Sequence, residues 1–325
     1  MNKELLYQNK KIFYRIIGNG KPVVLVHGFG EDGNIWSNQV GPPPNYVPSL
    51  RYAREPPKEG LRNAQSQLTE NSLFNKIQFI IPDLPGSGQS EMINDMSIEG
   101  MAEVIKFILD TEVPQNPPQG GTLDSDISNK QDNFKNSESK NPPSEGREAC
   151  IIGHSMGGYI TLALLEKYWN HISAFGLLHS TAYADSEEKK SIRRKGIDFI
   201  NKHGAFKFLK TTTPNLFSQK TKDERPELIN ELEAGLDNFS PTALVSYYKA
   251  MMQRPDRTEM LQKATMPVLF IMGKYDNAIP LEDGLQQCHL PEKSYIYILR
   301  NSGHMGMLEE KDKCNEILEK FLLEI

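Results

Sequence analysis

A serine with a glycine two positions away on either side lies in the sequence GHSMG at residues 153–157. The apolar residues before it predict a β-strand and residues 159–168 predict a helix, so Ser155 is expected on a sharp strand-to-helix turn. Such a turn strains the serine backbone and brings strand and helix close together, which explains the glycines. The positive end of the helix favours an anion beside the serine. The pattern predicts a nucleophile, against the plainer alternative of a tight turn with an incidental serine.

A serine hydroxyl needs a neighbouring base to become nucleophilic, and the base needs an acid to orient it. Predicted strands end just before Asp276 and just before His304. The carboxyl ends of parallel strands form the edge where α/β sheets place their sites, so these two residues are the expected acid and base. His179, after another predicted strand, is the rival base, although a core or supporting role is the simpler interpretation. Asp185 and Asp283 compete as acids, but neither directly ends a strand.

A glycine-lined loop, HGFG at residues 27–30, follows a further predicted strand. Such a loop can turn backbone N–H groups toward a ligand, so we expect the N–H groups of Phe29 and Met156 to form an oxyanion hole. We expect Gly28, Phe29 and Trp36 to contact the substrate. No metal site is expected, because the three cysteines are odd in number and widely spaced.

Short apolar runs alternate with helical periodicities through most of the chain. Strands are predicted at residues 11–17, 22–27, 77–82, 150–153, 174–179, 266–272 and 295–299. This alternation predicts an α/β fold, with a mostly parallel central β-sheet flanked by helices. Segment 182–264 has three helical patterns and no convincing strand. It favours a helical cap inserted before the last two strands over the alternative of longer crossover helices.

Two hydrophilic segments, 41–72 and 111–148, hold 11 of the 21 prolines. Segment 111–148 has too few apolar side chains to offset the entropy of ordering it, so we expect a mobile loop. We expect both segments to be loop insertions in a core formed by residues 1–181 and 265–325, with the cap at 182–264. The first insertion lies close to the expected site and could reshape access to it.

The charge and composition exclude several classes of partner. The 325 residues include 37 Lys and Arg against 42 Asp and Glu, a formal net charge of −5, which offers no electrostatic footprint for nucleic acid or an anionic membrane. No apolar run approaches the roughly 18 residues of a membrane span, and the first residues lack the apolar core of a secretory signal. We therefore expect a cytoplasmic protein, and the sequence leaves its oligomeric state open.

Five motifs occur in the order seen in the α/β-hydrolase superfamily. They are HGFG at 27–30, DLPGSG at 83–88, GHSMGG at 153–158, GKYD at 273–276 and SGH at 302–304. The sequence resembles the lid-bearing serine hydrolases of that superfamily, which include small-substrate carboxylesterases. The resemblance implies a triad of Ser155, Asp276 and His304, a structural role for Asp83, and no cofactor.

These expectations point to hydrolysis of a small carboxylic ester through an acyl-enzyme intermediate. Hydrolysis of thioesters or carbon–carbon bonds, acyl transfer to other acceptors, and ligand sensing without turnover remain alternatives. An apolar acyl pocket would draw on residues of the cap, although each of them is more simply cap core: Phe199, Phe206, Phe217, Tyr247 and Met251. The cations at 189–190 and 193–195 are more simply a solvated helix face than a site for an acidic substrate.

Overall fold

The computed structural model describes residues 1–40, 76–113 and 149–325. Its strands are β1 (Asn2–Tyr7), β2 (Lys10–Gly18), β3 (Lys21–Val26), β4 (Ile77–Pro82), β5 (Ala149–His154), β6 (Ile172–Leu178), β7 (Val268–Gly273) and β8 (Ser294–Leu299). They form one sheet in the order β1-β2-β4-β3-β5-β6-β7-β8. Strands β3 to β8 run parallel, and β2 runs antiparallel to both β1 and β4. The predicted α/β fold with a mostly parallel sheet is confirmed.

Strand β1 is the one strand of the described residues that the sequence analysis did not predict. It pairs with β2 through a tight turn at Gln8 and Asn9, whose φ angles are 50° and 62°. Two consecutive residues with positive φ are typical of the type I′ turn, whose twist suits a β-hairpin. The first two strands therefore form a hairpin at the edge of the sheet.

Helices cover both faces of the sheet. They are α1 (Ser37–Val40), α2 (Ile98–Glu112), α3 (Met156–Tyr168), α4 (Glu187–His203), α5 (Ala205–Thr212), α6 (Gln219–Glu224), α7 (Pro226–Glu233), α8 (Pro241–Gln253), α9 (Thr258–Gln262), α10 (Leu281–Gln287), α11 (Gly306–Glu309) and α12 (Lys311–Glu324). Ser97 caps the N-terminus of α2, because its side chain accepts a hydrogen bond from the Gly100 N–H. Within the described ranges, no helix has the length and apolar character needed to cross a membrane.

The chain between β6 and β7 forms α4 to α9 and two short 3₁₀ turns, Thr213–Leu216 and Leu236–Asn238, and the described structure contains no strand there. The predicted helical insertion before the last two strands is confirmed. Many of its buried residues, among them Leu209 and Tyr247, belong to the same apolar cluster as Val24 and Val26 of the sheet. The division of the chain into a core and a separate cap stays a prediction.

The two predicted insertions lie almost wholly outside the described residues. Helix α2 continues to Glu112, two residues into the segment assigned to the second insertion. The Glu112 carboxylate accepts hydrogen bonds from Lys3 Nζ at 2.7 Å and from the Tyr14 hydroxyl. These contacts fasten the end of α2 to the hairpin edge of the sheet.

The order of the strands places a crevice above β3 and β5. Strand β3 lies between β4 on one side and β5 on the other, so the connections leaving β3 and β5 diverge. In open α/β sheets, ligands bind outside the carboxyl ends of the strands at such a switch point. The loops that begin at His27 and at Ser155 leave the sheet at this point.

Candidate active site

Ser155 lies between β5 and α3 with a φ of +52° and a ψ of −116°, a backbone conformation that L-residues rarely adopt. Its N–H donates to the Leu178 carbonyl at 2.9 Å. A Cβ at position 153 would overlap the backbone of Gly157, and a Cβ at position 157 would overlap the carbonyl of Val26. The glycines on either side therefore allow the close packing that this turn requires.

Asp276 and His304 lie together at the ends of β7 and β8. Asp276 Oδ2 is 2.8 Å from His304 Nδ1. The other carboxylate oxygen, Oδ1, accepts hydrogen bonds from the N–H groups of Ala278 and Ile279, both at 2.8 Å. The carboxylate is thereby fixed in position, and the His304 ring is oriented through its Nδ1 atom.

The environment of Asp276 favours its ionised form. Burial by itself would raise the pKa of this carboxyl, but His304 and His179 outweigh burial and hold the pKa of Asp276 well below its usual range. Asp276 is therefore a carboxylate at neutral pH, able to accept a hydrogen bond from the Nδ1–H of His304.

Ser155 and His304 line one cavity of about 270 Å³ at the carboxyl edge of the sheet. Residues of the helical segment complete its wall, among them Leu216, Tyr248 and Met251. Among the described residues, the Ser155 hydroxyl has no hydrogen-bond partner. The structure thus brings Ser155 and His304 to the same cavity without a hydrogen bond between them.

The loop after β3 lies directly beside the serine. A Cβ on Gly28 would be 3.1 Å from the Ser155 Cβ, and Gly30 has a φ of +69°. In the part of the chain that the structure describes, neither the Phe29 N–H nor the Met156 N–H has a hydrogen-bond acceptor. The two N–H groups predicted for an oxyanion hole are thus available to a ligand.

The phenyl ring of Phe29 connects this loop to the helical segment. It stacks on Tyr248 of α8, with ring centroids 4.4 Å apart and ring planes 8° apart. Arg193 of α4 lies over the same tyrosine ring, 5.4 Å from its centroid. Phe29 and Arg193 both line the cavity, so the stack forms part of its wall.

Trp36, which the sequence analysis placed in contact with substrate, is fully buried. Its ring lies edge-on to His154, 6.5 Å between centroids, in an apolar cluster that also holds Leu25. The cavity wall does not include it. In this position, Trp36 can act on the site by packing against His154.

The aromatic and methionine residues named for an acyl pocket separate in the structure. Met251 lines the cavity, whereas Phe217 and Tyr247 are fully buried. The Tyr247 hydroxyl donates to the Pro85 carbonyl at 2.6 Å. Phe206 is exposed, and Phe199 packs against Phe208.

Asp83 holds its own loop against the loop after β3. Its carboxylate accepts from the Gly33 N–H at 2.9 Å and from the Gln89 N–H at 2.8 Å. His27 contributes to the same junction, because its Nε2 accepts from the Leu84 N–H at 2.9 Å. These contacts agree with the structural role that the resemblance implies for Asp83.

Sequence reasoning missed a second buried imidazole–carboxylate pair. His154 Nδ1 is 3.0 Å from Glu31 Oε2, and His154 Nε2 is 3.0 Å from the His304 carbonyl. Glu31 also accepts from the Gly28 N–H at 2.6 Å. The sequence carries no signal for this pair, because Glu31 lies in the loop after β3 and His154 is the last residue of β5, 123 positions away.

Each member of this pair favours the charge of the other. Burial would raise the pKa of Glu31, but His154 and the Gly28 N–H outweigh burial and lower it. Burial would lower the pKa of His154, but Glu31 outweighs burial and raises it. Both ring nitrogens of His154 face acceptors, Glu31 Oε2 and the His304 carbonyl, so the doubly protonated ring and the carboxylate form an ion pair.

His179, the rival base, is not among the residues that line the cavity. Its Nδ1 is 3.2 Å from Asp276 Oδ2, the oxygen that also contacts His304. The rival acids are engaged elsewhere: Asp185 pairs with Arg193 and Arg254, and Asp283 lies 3.6 Å from Lys189.

His179, Asp276 and His304 are also the described residues whose ligand atoms lie close enough to hold a metal ion, within 4.8 Å of one another. Both imidazoles present Nδ1 to the same carboxylate oxygen at hydrogen-bond distance. Asp276 Oδ2 thus serves as one hydrogen-bond acceptor for two imidazole donors.

The sequence profile described as the alpha/beta hydrolase family matches residues 23–317. The chain belongs to the α/β-hydrolase family. This hydrolase is similar to a proline iminopeptidase of Saccharolobus solfataricus, with 43% identity over 68 residues, 21% of each chain. It is also similar to a 2-hydroxy-6-oxononadienedioate/2-hydroxy-6-oxononatrienedioate hydrolase of a Pseudomonas species, with 30% identity over 185 residues, 54% of this chain and 63% of the relative.

These two alignments span less than two thirds of the relatives' own lengths. Among solved structures, a thermophilic esterase from Thermogutta terrifontis superposes on this hydrolase with a TM-score of 0.73 and 20% identity, covering 100% of this chain and 98% of the esterase. At that identity the likeness shows the fold.

Proposed function

We propose that this hydrolase cleaves carboxylic esters of small molecules by nucleophilic catalysis. The Ser155 Oγ attacks the ester carbonyl carbon while His304 Nε2 takes the hydroxyl proton and then gives it to the departing alcohol. Water next attacks the acyl-enzyme with His304 as the base, which releases the acid and restores the serine. Asp276 holds His304 in the tautomer that leaves Nε2 as the acceptor.

One observation carries the proposal. His304 Nδ1 is bound to a fixed carboxylate at 2.8 Å, while His304 and a serine in a strained turn line the same cavity. Because Nδ1 is occupied by Asp276, Nε2 is the nitrogen available to the serine proton. Ser155 is thus the proposed nucleophile, His304 the proposed base and Asp276 the proposed orienting acid.

The N–H groups of Phe29 and Met156 are the proposed oxyanion hole. Negative charge develops on the carbonyl oxygen when the serine attacks, and two N–H groups without another acceptor can stabilise it. The removal of one such donor typically lowers the rate by about 10²–10³-fold.

The activity named for the Pseudomonas relative favours a second candidate, the hydrolysis of a carbon–carbon bond next to a carbonyl. The same residues would serve it, with a carbanion rather than an alcohol as the leaving group. The two candidates differ in the bond that breaks, so substrates distinguish them.

The test is Ser155→Ala, assayed with p-nitrophenyl esters of graded acyl length and with a fluorophosphonate probe. We expect kcat/KM to fall by about 10⁴-fold or more, because the nucleophile is removed. We also expect labelling by the probe to disappear.

Ser173→Ala is the matched control. The Ser173 hydroxyl is buried in β6 without a hydrogen-bond partner among the described residues, so its loss should leave turnover unchanged. Wild-type turnover in Ser155→Ala would refute the proposal, and activity confined to vinylogous diketones would favour the second candidate.

A further inference from the structure

Two cations of helix α4 line the cavity that holds Ser155. Lys189 and Arg193 are four positions apart and therefore share one face of the helix. The sequence analysis preferred a solvated face for this run of cations. That preference suits Arg194 and Lys195, which are exposed, but not Arg193, whose side chain is 18% exposed.

Arg193 keeps hydrogen-bond donors for a ligand. Its Nε and Nη2 donate to Asp185 at 2.5 and 3.2 Å, but Nη1 donates to none of the described residues. Arg254 Nη1 binds the same carboxylate at 2.8 Å. Two guanidinium groups thus share one carboxylate, and Arg193 is the one that faces the cavity.

Lys189 is also uncommitted. Its Nζ lies 3.6 Å from Asp283 Oδ2, which is an ion pair beyond hydrogen-bond distance, and the side chain is 32% exposed. The three ammonium N–H groups have no acceptor within the described ranges. Such a group can turn its donors toward an anion in the cavity.

The acidic groups of the site are committed. Glu31, which also lines the cavity, is bound to His154 and to the Gly28 N–H, and Asp276 lies behind His304. The two cations differ from these two acids in the hydrogen bonds that they can still form. The cations have donors to offer, whereas the carboxylates already have their partners.

We propose that Lys189 and Arg193 bind a carboxylate of the substrate, so that the ester cleaved is one that also carries a carboxylate away from the scissile bond. This inference rests on the proposed ester hydrolysis. The planar guanidinium is held by Asp185 and Tyr248, so its donors are fixed in direction, while the lysine adjusts to the anion.

The experiment compares two esters whose acyl chains have the same length, mono(4-nitrophenyl) glutarate and 4-nitrophenyl valerate. We expect the wild type to prefer the glutarate. Lys189→Met and Arg193→Met should each lower kcat/KM for the glutarate by about 10- to 100-fold, with the valerate nearly unaffected, because a charge-assisted hydrogen bond is lost. Asp185 keeps Arg254 as a partner in Arg193→Met.

Lys195→Met, an exposed cation on the same helix, is the control and should change neither rate. Equal wild-type rates on the two esters, or parallel losses on both in Lys189→Met, would overturn the carboxylate site. Neither result touches the proposed function, which is tested separately: it fails if Ser155→Ala still hydrolyses the valerate.

A second inference concerns His179 and rests on separate observations. Its φ is +46°, its side chain is 1% exposed, and its N–H donates to the Ile271 carbonyl at 2.8 Å. A non-glycine residue with positive φ at the end of a buried strand is rare and costs conformational energy. The surrounding structure thus holds this imidazole against Asp276.

The proton of His179 belongs on Nδ1. Its Nε2 is buried without a hydrogen-bond partner in the described chain and lies against Gly306, where a Cβ would overlap it. A buried N–H without an acceptor is costly, so the neutral ring places its hydrogen on Nδ1, which faces Asp276. Because Nε2 has no acceptor, the geometry favours a neutral ring, and burial, the main cause, also lowers the pKa of His179.

We infer that His179 is a positioning residue that acts through Asp276. With His179 the carboxylate receives four donors: two imidazole N–H groups on Oδ2 and two backbone N–H groups on Oδ1. The additional donor fixes the carboxylate and makes it less basic toward His304. The titratable groups that face His179 are Asp276, His304 and His154.

The test measures the pH dependence of kcat/KM in His179→Ala and His179→Asn. We expect His179→Ala to lower kcat by about tenfold with KM unchanged. Its acid limb should move to higher pH, because a carboxylate with one donor fewer stabilises the protonated form of His304 more. Asn tolerates positive φ and offers an N–H near the Nδ1 position, so it should restore the wild-type limb.

A purely structural role makes a different prediction. In that case His179→Ala would lose stability and activity with its acid limb unmoved. Alternatively, the limb could be shifted equally in His179→Ala and His179→Asn, which would show that the Asn N–H does not replace the imidazole donor. Either of these results overturns the inference.

Discussion

Two buried imidazole–carboxylate pairs lie side by side in this hydrolase, with His154 and His304 ring centroids 5.0 Å apart. Glu31–His154 and Asp276–His304 have similar lengths, 3.0 and 2.8 Å. The difference lies in the second ring nitrogen. That of His154 is bound to the His304 carbonyl, whereas His304 lines the cavity beside Ser155. An imidazole can exchange protons with a substrate only through a nitrogen that the protein leaves unbound.

The two pairs also differ in the kind of connection they make. Asp276 and His304 follow neighbouring strands, β7 and β8. Glu31 and His154 join the loop after β3 to the end of β5, which are the two sides of the crevice. The Asp276–His304 pair is therefore suited to proton transfer. The Glu31–His154 pair is suited to holding the loop after β3 against the end of β5.

The largest expected effect separates the two histidines. His304→Asn should lower kcat by about 10⁴-fold, because the base is lost, with little change in the free energy of unfolding. His154→Ala should instead cost about 3 kcal/mol of stability, because it leaves the Glu31 carboxylate buried without its counter-ion. Initial rates and urea unfolding of both variants provide the measurement.

The comparison breaks if the effects are exchanged. A His304→Asn protein with wild-type turnover would remove the proposed base. A His154→Ala protein as stable as the wild type, but inactive, would assign His154 a chemical role rather than a structural one.

A smaller effect is expected in the pH dependence of stability, compared between the wild type and Glu31→Gln. The lowered pKa of Glu31 stabilises the fold above its ordinary value of 4.5, and this contribution is lost as the pH falls through the lowered value. The raised pKa of His154 stabilises the fold below its ordinary value of 6.5, and this contribution is lost as the pH rises through the raised value.

The free energy of unfolding of the wild type should therefore exceed that of Glu31→Gln most between these two ordinary pKa values. We expect a difference of about 1 kcal/mol there, measured by urea unfolding across the pH range. A difference that does not vary with pH would show that the pair is not ionised.

The sequence was informative where local pattern decides structure. Buried parallel strands are apolar on both faces, and α2 and α4 have helical periodicity, so these elements could be predicted. Strand β1 was missed because Asn2–Tyr7 alternates exposed and half-buried positions at the edge of the sheet, with little apolar signal.

The site was less predictable where contacts depend on register across the sheet. His179 meets Asp276 across 97 positions, and only the pairing of β6 with β7 brings them together. Likewise, the helical pattern of α4 could not show which face meets a cavity, so Lys189 and Arg193 were assigned to solvent. The spacing of residues along the chain does not show which distant residues come into contact in the fold.

The bond from His154 Nε2 to the His304 carbonyl has a mechanical consequence. His154 directly precedes Ser155, so the backbone beside the hydroxyl and the backbone that carries the imidazole are fastened to each other by one short link. When one of these loops moves thermally, the other moves with it. The distance between the Ser155 hydroxyl and the His304 imidazole therefore varies less than the position of either group.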